Sequence, residues 1–439
     1  MPRGSTRPAH RFHTAALQLS SLAVSQALCL LLGFATHALL ARSIARADYG
    51  LFSSAYSWVT LLAPYAVFGV GEWWLLEFGR RGAAARDTLR PAIALVAATT
   101  LASVAVAIVW MPAAAAGPAR MLLVALIPAQ ALLALATSRL QIADRFHSVA
   151  GLLLLPHLLR FVVAVVVVTG PRSLHVALVG YAAAALVVSL AALLVVTRSF
   201  REEAEAFPDA GARSADARPA PARVLAVAGE AWPFAAASAL YLANINVGVV
   251  IVERVAGARE AALLAVGVVL LNAIYVLPRV VFQQFLVPQM HRWAARDPER
   301  HQRAFHASRG AMGLVGLGVA ALVALLAPAV LPLLFGKEYD AALPTVRLLA
   351  LAVPLRFVSA SYGTLLTTVR RVRAKVGCQA VGLMGGIVAM AGLVPMLGAP
   401  GAAVGLLASE ALTLFLFATV APRTAPRVLD APLVAKNRP

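Results

Sequence analysis

The sequence predicts an all-α integral membrane protein with twelve transmembrane helices in two pseudosymmetric six-helix lobes. Three observations support this fold class. The mean hydropathy is +0.82, and 61% of residues are hydrophobic while only 13% are charged. Apolar runs alternate with short loops, and every second loop is rich in arginine. Since soluble domains carry about 25% charged residues, the lipid bilayer is the expected solvent.

The predicted helices are the apolar runs that are long enough to cross a bilayer. About 20 mostly apolar residues span about 30 Å of hydrocarbon as a helix, which satisfies its own backbone polar groups there. The predicted spans are Ala16–Ala41, Leu51–Gly71, Pro91–Met111, Met121–Ser138, Ser148–Thr169, Leu174–Thr197, Ala231–Val252, Ala261–Leu286, Gly310–Leu334, Thr345–Thr368, Val376–Leu397 and Ala402–Val420. The first run is too long for a signal-peptide core, so we expect it to be a retained span.

The distribution of basic residues predicts the orientation. The N-terminus, the even-numbered loops and the C-terminus carry 27 Lys and Arg, the odd-numbered loops carry 8, and three arginines lie inside spans. Lys and Arg in short loops are retained in the cytoplasm, so both termini are expected there. The net charge of +19 then reflects topology and contact with anionic membrane lipids, and predicts no nucleic-acid partner.

A linker divides the twelve spans into two sets of six. Residues 198–223 contain a cluster of acids and a Pro/Ala/Arg-rich tail, so the predicted domains are an N-terminal lobe (1–197), a cytoplasmic linker (198–223), a C-terminal lobe (224–421) and a cytoplasmic tail (422–439). An ungapped repeat at an offset of 226 aligns Pro128 with Pro354 and the fourth helix with the tenth. Six helices per repeat give parallel lobes related by an axis along the membrane normal.

Two short segments resemble those of known transporters. The segment Leu39–Phe52, LLARSIARADYGLF, resembles the first-loop signature of polysaccharide transporters, and Leu334–Tyr339 is similar to their ninth-to-tenth helix loop. Arg46 stands near a position where that family often has glycine. With the twelve spans, the chain resembles a Wzx-type lipid-linked oligosaccharide flippase of the MOP superfamily, which also contains the MATE antiporters and lipid II flippases.

The resemblance implies a function and its partners. It implies alternating access of the lobes around a cationic central cavity lined by helices one, two, seven and eight. The substrate would be an oligosaccharide on an undecaprenyl pyrophosphate type of lipid, flipped across the bacterial plasma (inner) membrane for surface polysaccharides such as O-antigen or exopolysaccharide. Polysaccharide polymerase machinery is a further expected partner.

Three arginines inside spans are predicted substrate-binding residues. Arg160 and Arg356 lie near the middle of helices five and ten, and Arg279 lies in the inner half of helix eight. A charged arginine costs about 3 kcal/mol at mid-membrane, which makes such residues functional candidates. The alternative is that each pairs with an acid, the candidates being Glu72, Glu230 and Glu410, or extends to the headgroups.

Polar residues inside the other spans are weaker candidates. Asn244, Asn246 and Asn272 are predicted to hydrogen-bond sugar hydroxyls, with interhelical hydrogen bonding as the equal alternative. Glu410 is predicted to balance the charge of an arginine rather than to bind a coupling cation or proton. His37 is a further candidate for charge balance or coupling, although an interhelical hydrogen bond is the commoner role for such a histidine.

The sequence also disfavours other functions. No metal cluster, catalytic triad or phosphate-binding glycine motif is recognised, and the external loops are short, so neither an enzyme nor a cofactor is expected. MATE-like cation-coupled efflux of small molecules is the alternative, although membrane-embedded carboxylates are few. Cys29 and Cys378 lie within spans and predict no disulfide. Pro64 and Pro278 are expected to interrupt the second helix of each lobe, and Pro128 and Pro354 the fourth.

Overall fold

The protein is built of helices throughout the part of the chain that is described. A computed structural model describes residues 8–110, 117–206, 221–279, 298–368 and 372–420. The predicted tail 422–439 and residues 207–220 of the predicted linker lie outside the described residues. The helices are α1 (Pro8–Ser43), α2 (Arg46–Val67), α3 (Val70–Arg81), α4 (Leu89–Trp110), α5 (Leu126–Ile142), α6 (Phe146–Thr169), α7 (Leu174–Ala206), α8 (Pro221–Val255), α9 (Ala258–Arg279), α10 (Pro298–Phe335), α11 (Leu343–Thr368), α12 (Val372–Leu397) and α13 (Ala399–Val420), with short 3-10 helices at Gly82–Thr88, Gly117–Ala125 and Lys337–Ala342.

The number of membrane-length helices agrees with the sequence prediction. Within the described ranges, twelve helical stretches are long and apolar enough to cross a membrane, from Val24–Ser43 to Ala399–Val420. The second of them, Arg46–Arg81, combines α2 and α3. The all-helical fold and the twelve spans are therefore confirmed.

Several helices continue beyond the apolar run that predicted them. α7 runs through the charged end of the sixth span to Ala206, and α8 begins at Pro221 instead of Ala231. Alanine, arginine and glutamate are strong helix formers, so these polar extensions favour continued helix outside the hydrocarbon. Both ends of the predicted linker are consequently helical.

Three of the four prolines lie within continuous helical segments, where an interruption was expected: Pro64, Pro128 and Pro354. Pro278 is helical, one residue before the described chain stops at Arg279. The break in the second span comes after Pro64, at Phe68 and Gly69, which have φ angles of 52° and 67°. The Phe68 amide donates to the carbonyl of Pro64 at 2.9 Å and closes α2. A Cβ atom at Gly69 would lie 2.5 Å from the Ala235 amide nitrogen, so only glycine fits this turn.

The chain divides into two compact units, residues 1–239 and 240–439. In the first unit α1 packs on α6, α5 on α7 and α2 on α4. Two polar side chains of α1 bond to the backbone of α6: the Ser25 hydroxyl donates to the Ala150 carbonyl at 2.8 Å, and the Cys29 thiol donates to the Leu153 carbonyl at 3.5 Å. Cys29 and Cys378 are both free thiols. The lobe bounds proposed from the sequence stay a prediction.

Glycines bring helices close together in the second unit. α12 packs extensively on α13, and α10 on α11. A Cβ atom at Gly386 of α12 would lie 2.6 Å from Cβ of Ser409 and 2.9 Å from the carbonyl oxygen of Gly405, both on α13. Small residues allow this close approach, which is the usual basis of helix association in membranes. The contact holds the middle of α13, including Ser409 and Glu410, within the unit.

Candidate functional site

The predicted arginine of the first unit, Arg160, is held by two tyrosines. Its Nη1 atom on α6 donates to the Tyr56 hydroxyl on α2 at 3.1 Å. The guanidinium carbon lies 5.7 Å from the ring centroids of both Tyr56 and Tyr181, the latter on α7. Cation–π attraction to two rings stabilises a positive charge that has been removed from water.

An aromatic layer supports this arginine. Tyr49, Phe52 and Tyr56 are spaced three and four residues apart on α2 and therefore share one helix face. The Phe52 ring lies 5.0 Å from Tyr181 and 6.1 Å from Tyr56, and the His37 ring lies 5.6 Å from Tyr56. Such edge-on and offset ring pairs are favourable and rigid. The layer fixes the position of Tyr56 beneath the guanidinium.

Two histidines of the first unit lie near the aromatic layer. Nδ1 of His37, a predicted site residue, lies 3.3 Å from the Tyr49 hydroxyl. The ring of His157, one turn before Arg160 on α6, packs against Gly33, where a Cβ atom would lie 3.5 Å from its Nδ1 atom. His37 thus has the interhelical hydrogen bond that its alternative role requires.

No carboxylate balances Arg160 within the described part of the chain, whose ion pairs join other residues. Glu230, one of the acids considered as a partner, accepts a hydrogen bond from Trp73 Nε1 at 3.0 Å instead. Hydroxyl and π contacts leave the net charge of a guanidinium unchanged. Arg160 therefore keeps a full positive charge that an anion can neutralise.

The predicted arginine of the second unit, Arg356, forms an ion pair. Its Nη1 atom on α11 lies 3.2 Å from Oε1 of Glu410 on α13, and the two side chains are 14% and 1% exposed. The guanidinium carbon also lies 4.6 Å from the Tyr241 ring centroid and 5.4 Å from that of Tyr275. This is the geometry that charge balance by Glu410 requires.

Asn244 and Ser409 extend this ion pair into a network. The Asn244 amide nitrogen donates to Glu410 Oε1 at 2.7 Å, and the Ser409 hydroxyl donates to Asn244 Oδ1 at 2.5 Å. Glu410 Oε2 is buried and has no hydrogen-bond partner among the described residues. Asn244 thus makes the interhelical hydrogen bonds that were the alternative to sugar binding.

The remaining predicted site residues are Asn246, Asn272 and Arg279. The Asn246 amide nitrogen donates to the Leu242 carbonyl of its own helix at 2.9 Å. Asn272 is exposed. Arg279 ends α9, and its side chain lies outside the described residues. Sugar or phosphate binding by these three residues stays a prediction.

Sequence reasoning missed the tyrosines and the serine that complete the two clusters. They are Tyr56, Tyr181, Tyr241, Tyr275 and Ser409. The signal that could have found them is scarcity, because the chain has only eight tyrosines and an intramembrane arginine needs nearby aromatic or acidic partners. No group of three or more His, Cys, Asp or Glu able to hold a metal ion occurs in the described ranges.

Comparison with known proteins shows which family the sequence matches and which solved structures have a similar fold. Residues 18–293 match the family described as polysaccharide biosynthesis protein. No curated protein matches the chain. Among solved structures, the fold is similar to the lipid II flippase MurJ in an inward closed conformation, with a TM-score of 0.68 and 10% identity over 93% of this chain and 89% of that one.

Two further structures have the same fold. An inward-facing multidrug resistance MATE transporter of the MOP superfamily gives a TM-score of 0.64 and 14% identity over 92% of this chain and 96% of that one. A MOP superfamily transporter from Pyrococcus furiosus gives 0.57 and 13% identity over 94% and 96%. At these identities the likeness establishes the MOP fold.

Proposed function

The chain belongs to the polysaccharide biosynthesis protein family, and from this premise we propose that it flips a polyprenyl-pyrophosphate-linked oligosaccharide across the bacterial plasma membrane. Transport would proceed by alternating access, with both termini in the cytoplasm and with surface polysaccharide as the final product. The lipid tail can remain in the bilayer, so the protein has to shelter only the charged and sugar-bearing head. Polymerase machinery would then receive the flipped molecule.

The observation that carries the proposal is the unbalanced charge of Arg160. A guanidinium inside the membrane is costly, and one that lacks a carboxylate retains its charge for a substrate. Arginine binds phosphate oxygens through several hydrogen bonds at once. Since the Tyr56 hydroxyl uses Nη1, the remaining guanidinium donors are the proposed contacts to the pyrophosphate.

Arg356 is proposed to act under the control of Glu410. Its Nη1 atom already donates to the carboxylate, so an anionic substrate competes with Glu410 for the guanidinium. We propose that Arg356, and by extension Asn244, contacts the substrate only when Glu410 has moved away or is protonated. Arg160 would thus bind the substrate before Arg356 does, and more strongly.

The test is an Arg160→Gln variant in the native host, with Arg160→Lys beside it. Gln is shorter than Arg but remains polar, and it removes the charge. We expect normal membrane insertion, at least a tenfold loss of surface glycan, as a rough estimate from losing one charged hydrogen-bonded contact, and accumulation of the lipid-linked precursor on the cytoplasmic side. Lys should retain part of the transport.

Arg172→Gln is the matched control, because Arg172 is an exposed arginine between the fifth and sixth spans. It should leave glycan export unchanged. Normal export by a correctly inserted Arg160→Gln protein would refute the role of the arginine in substrate binding. Loss of export without precursor accumulation would place the defect outside translocation.

Cation-coupled efflux of small molecules is the second candidate function. The likeness to a MATE transporter and the buried Glu410, whose Oε2 atom lacks a hydrogen-bond partner in the described chain, favour it. The ion pair with Arg356 disfavours it, because the carboxylate already has a counterion. Efflux predicts that the purified protein drives accumulation of a cationic dye in vesicles with a proton or sodium gradient, and that Glu410→Gln abolishes it.

A further inference from the structure

A cationic site that shares no residue with the Arg160 cluster lies at one end of the first unit. A cavity of about 580 Å³ opens among the ends of α3, α5 and α7 and the 3-10 helix after α3. Ligand pockets in proteins usually measure about 300–1,000 Å³. The basic loops here belong to the side that the arginine distribution predicts to be cytoplasmic. The cavity is therefore expected at the level of the cytoplasmic headgroups.

The lining of this cavity carries an excess of positive charge. Arg86, Arg139 and Arg145 line it, and Glu202 is the single acid among its described lining residues. Glu202 is engaged by Arg145, whose Nη2 atom lies 3.0 Å from its Oε2 atom. Among the described residues of the walls, arginines thus outnumber acids three to one.

Arg139 makes this a built site rather than a collection of surface arginines. The residue is only 5% exposed, and its guanidinium carbon lies 5.7 Å from the Phe78 ring centroid and 5.5 Å from that of Phe200. Two aromatic faces hold the planar group in one orientation, which reduces the entropy lost when it binds a ligand. A Cβ atom at Gly79 or Gly82 of the lining would meet no atom within 4 Å, so this wall is open.

We propose that this cavity binds a phosphate-bearing lipid headgroup from the cytoplasmic leaflet. Several arginines around a pocket of this size match the charge and the multiple acceptor oxygens of a phosphate. The exposed Leu75 of the lining suits the adjoining acyl or prenyl chain. The source is either an anionic phospholipid or the pyrophosphate of a lipid-linked precursor awaiting transport. The precursor source rests on the proposed function, whereas the phospholipid source does not, and neither depends on Arg160.

The experiment uses the full-length purified protein in phosphatidylcholine nanodiscs. Binding of short-chain phosphatidylglycerol, a polyprenyl pyrophosphate and inorganic pyrophosphate is measured by titration and by native mass spectrometry. Arg86→Gln and Arg139→Gln should each weaken binding about tenfold, the usual effect of losing a hydrogen bond to a charged group. Arg90→Gln is the matched control, since Arg90 is an exposed arginine that follows the same 3-10 helix and does not line the cavity.

Ser199→Glu provides a test that leaves Arg139 in place. Ser199 lines the cavity, and a carboxylate there should repel the headgroup without removing a buried side chain. Weaker binding of phosphatidylglycerol by the Ser199 and Arg86 variants would support a phospholipid site, and selective loss of polyprenyl pyrophosphate binding would support a precursor site. Binding of all three ligands at the level of the Arg90→Gln control, or of none by the native protein, would overturn the proposal.

Discussion

The two units each place one arginine inside the membrane over two tyrosine rings, and they differ in how that charge is balanced. In the first unit Arg160 has hydroxyl and ring contacts and, among the described residues, no carboxylate partner. In the second unit Arg356 has the same kind of ring contacts and a carboxylate, Glu410, at 3.2 Å. The aromatic rings position a guanidinium, whereas the carboxylate decides whether its charge remains available. One cluster is therefore suited to binding an anion, and the other to holding its unit together.

Glu410→Gln, in the second unit, should destabilise the protein much more than Arg160→Gln in the first unit, and this is the largest effect that we expect. Removing one member of a buried ion pair leaves the other charge uncompensated, which costs about 3–5 kcal/mol. Arg160→Gln leaves no charge behind and should cost less than about 1 kcal/mol. Thermal unfolding in detergent measures both, with the exposed Asp340→Asn as control. Equal losses for the Glu410 and Arg160 variants would show that the two arginines are balanced alike.

The double variant Arg356→Gln/Glu410→Gln should recover part of that loss. Two neutral amides leave no buried charge, so the pair should be more stable than Glu410→Gln alone by about 0.5–3 kcal/mol, the usual range of coupling between contacting residues. The measurement is a double-mutant cycle from the unfolding of all four proteins. Additive losses would mean that the contact at 3.2 Å contributes nothing to stability.

Ser409→Ala should cost about 1 kcal/mol of stability, because it removes one hydrogen bond from a buried amide. The Ser409 hydroxyl donates to Asn244 Oδ1, and Asn244 in turn donates to Glu410. The effect should vanish in a Glu410→Gln background if the three side chains act as one network. The same substitution at Ser189 of the first unit, whose hydroxyl donates to a carbonyl of its own helix, is the comparison that separates network from local effects.

Tyr56→Phe should act on transport more than on stability. It keeps the ring beside Arg160 and removes the hydroxyl that accepts from Nη1 at 3.1 Å. Loss of one such hydrogen bond is worth about 1 kcal/mol, or roughly a fivefold change in glycan export. Tyr241→Phe is the counterpart in the second unit, because Tyr241 hydrogen-bonds Arg356, and it should change export less. The opposite ranking would assign substrate binding to Arg356.

Much of the fold was predictable because a bilayer restricts what a chain can do. An apolar run of about 20 residues has to form a helix that satisfies its own backbone, so the runs ending near Ser43, Thr169 and Val420 were found from composition alone. The ends of the helices were not predicted from composition, because α7 and α8 continue through polar residues. The break at Phe68 and Gly69 was missed, since it depends on the backbone of Ala235, far away in sequence.

The candidate site was predictable in its charges and not in its partners. Arg160, Arg356 and Glu410 were selected because each charge is costly inside a membrane, which is a property of the residue itself. No such signal marks the four tyrosines, Tyr56, Tyr181, Tyr241 and Tyr275. A tyrosine in an apolar helix can equally be a packed residue of the protein core. The same holds for Asn244 and Asn246, of which one joins the network and the other bonds to its own helix.

Sequence was sufficient for properties that arise from one stretch of chain and its solvent, namely the apolar spans, the basic loops and the cost of each buried charge. Tertiary structure decided which charges meet. Arg356 and Glu410 are brought together by α11 and α13, while Arg160 meets tyrosines on α2 and α7 and no acid in the described chain. The physical reason is that a hydrogen bond or ion pair acts over about 3–4 Å, and helix packing alone determines which side chains come that close.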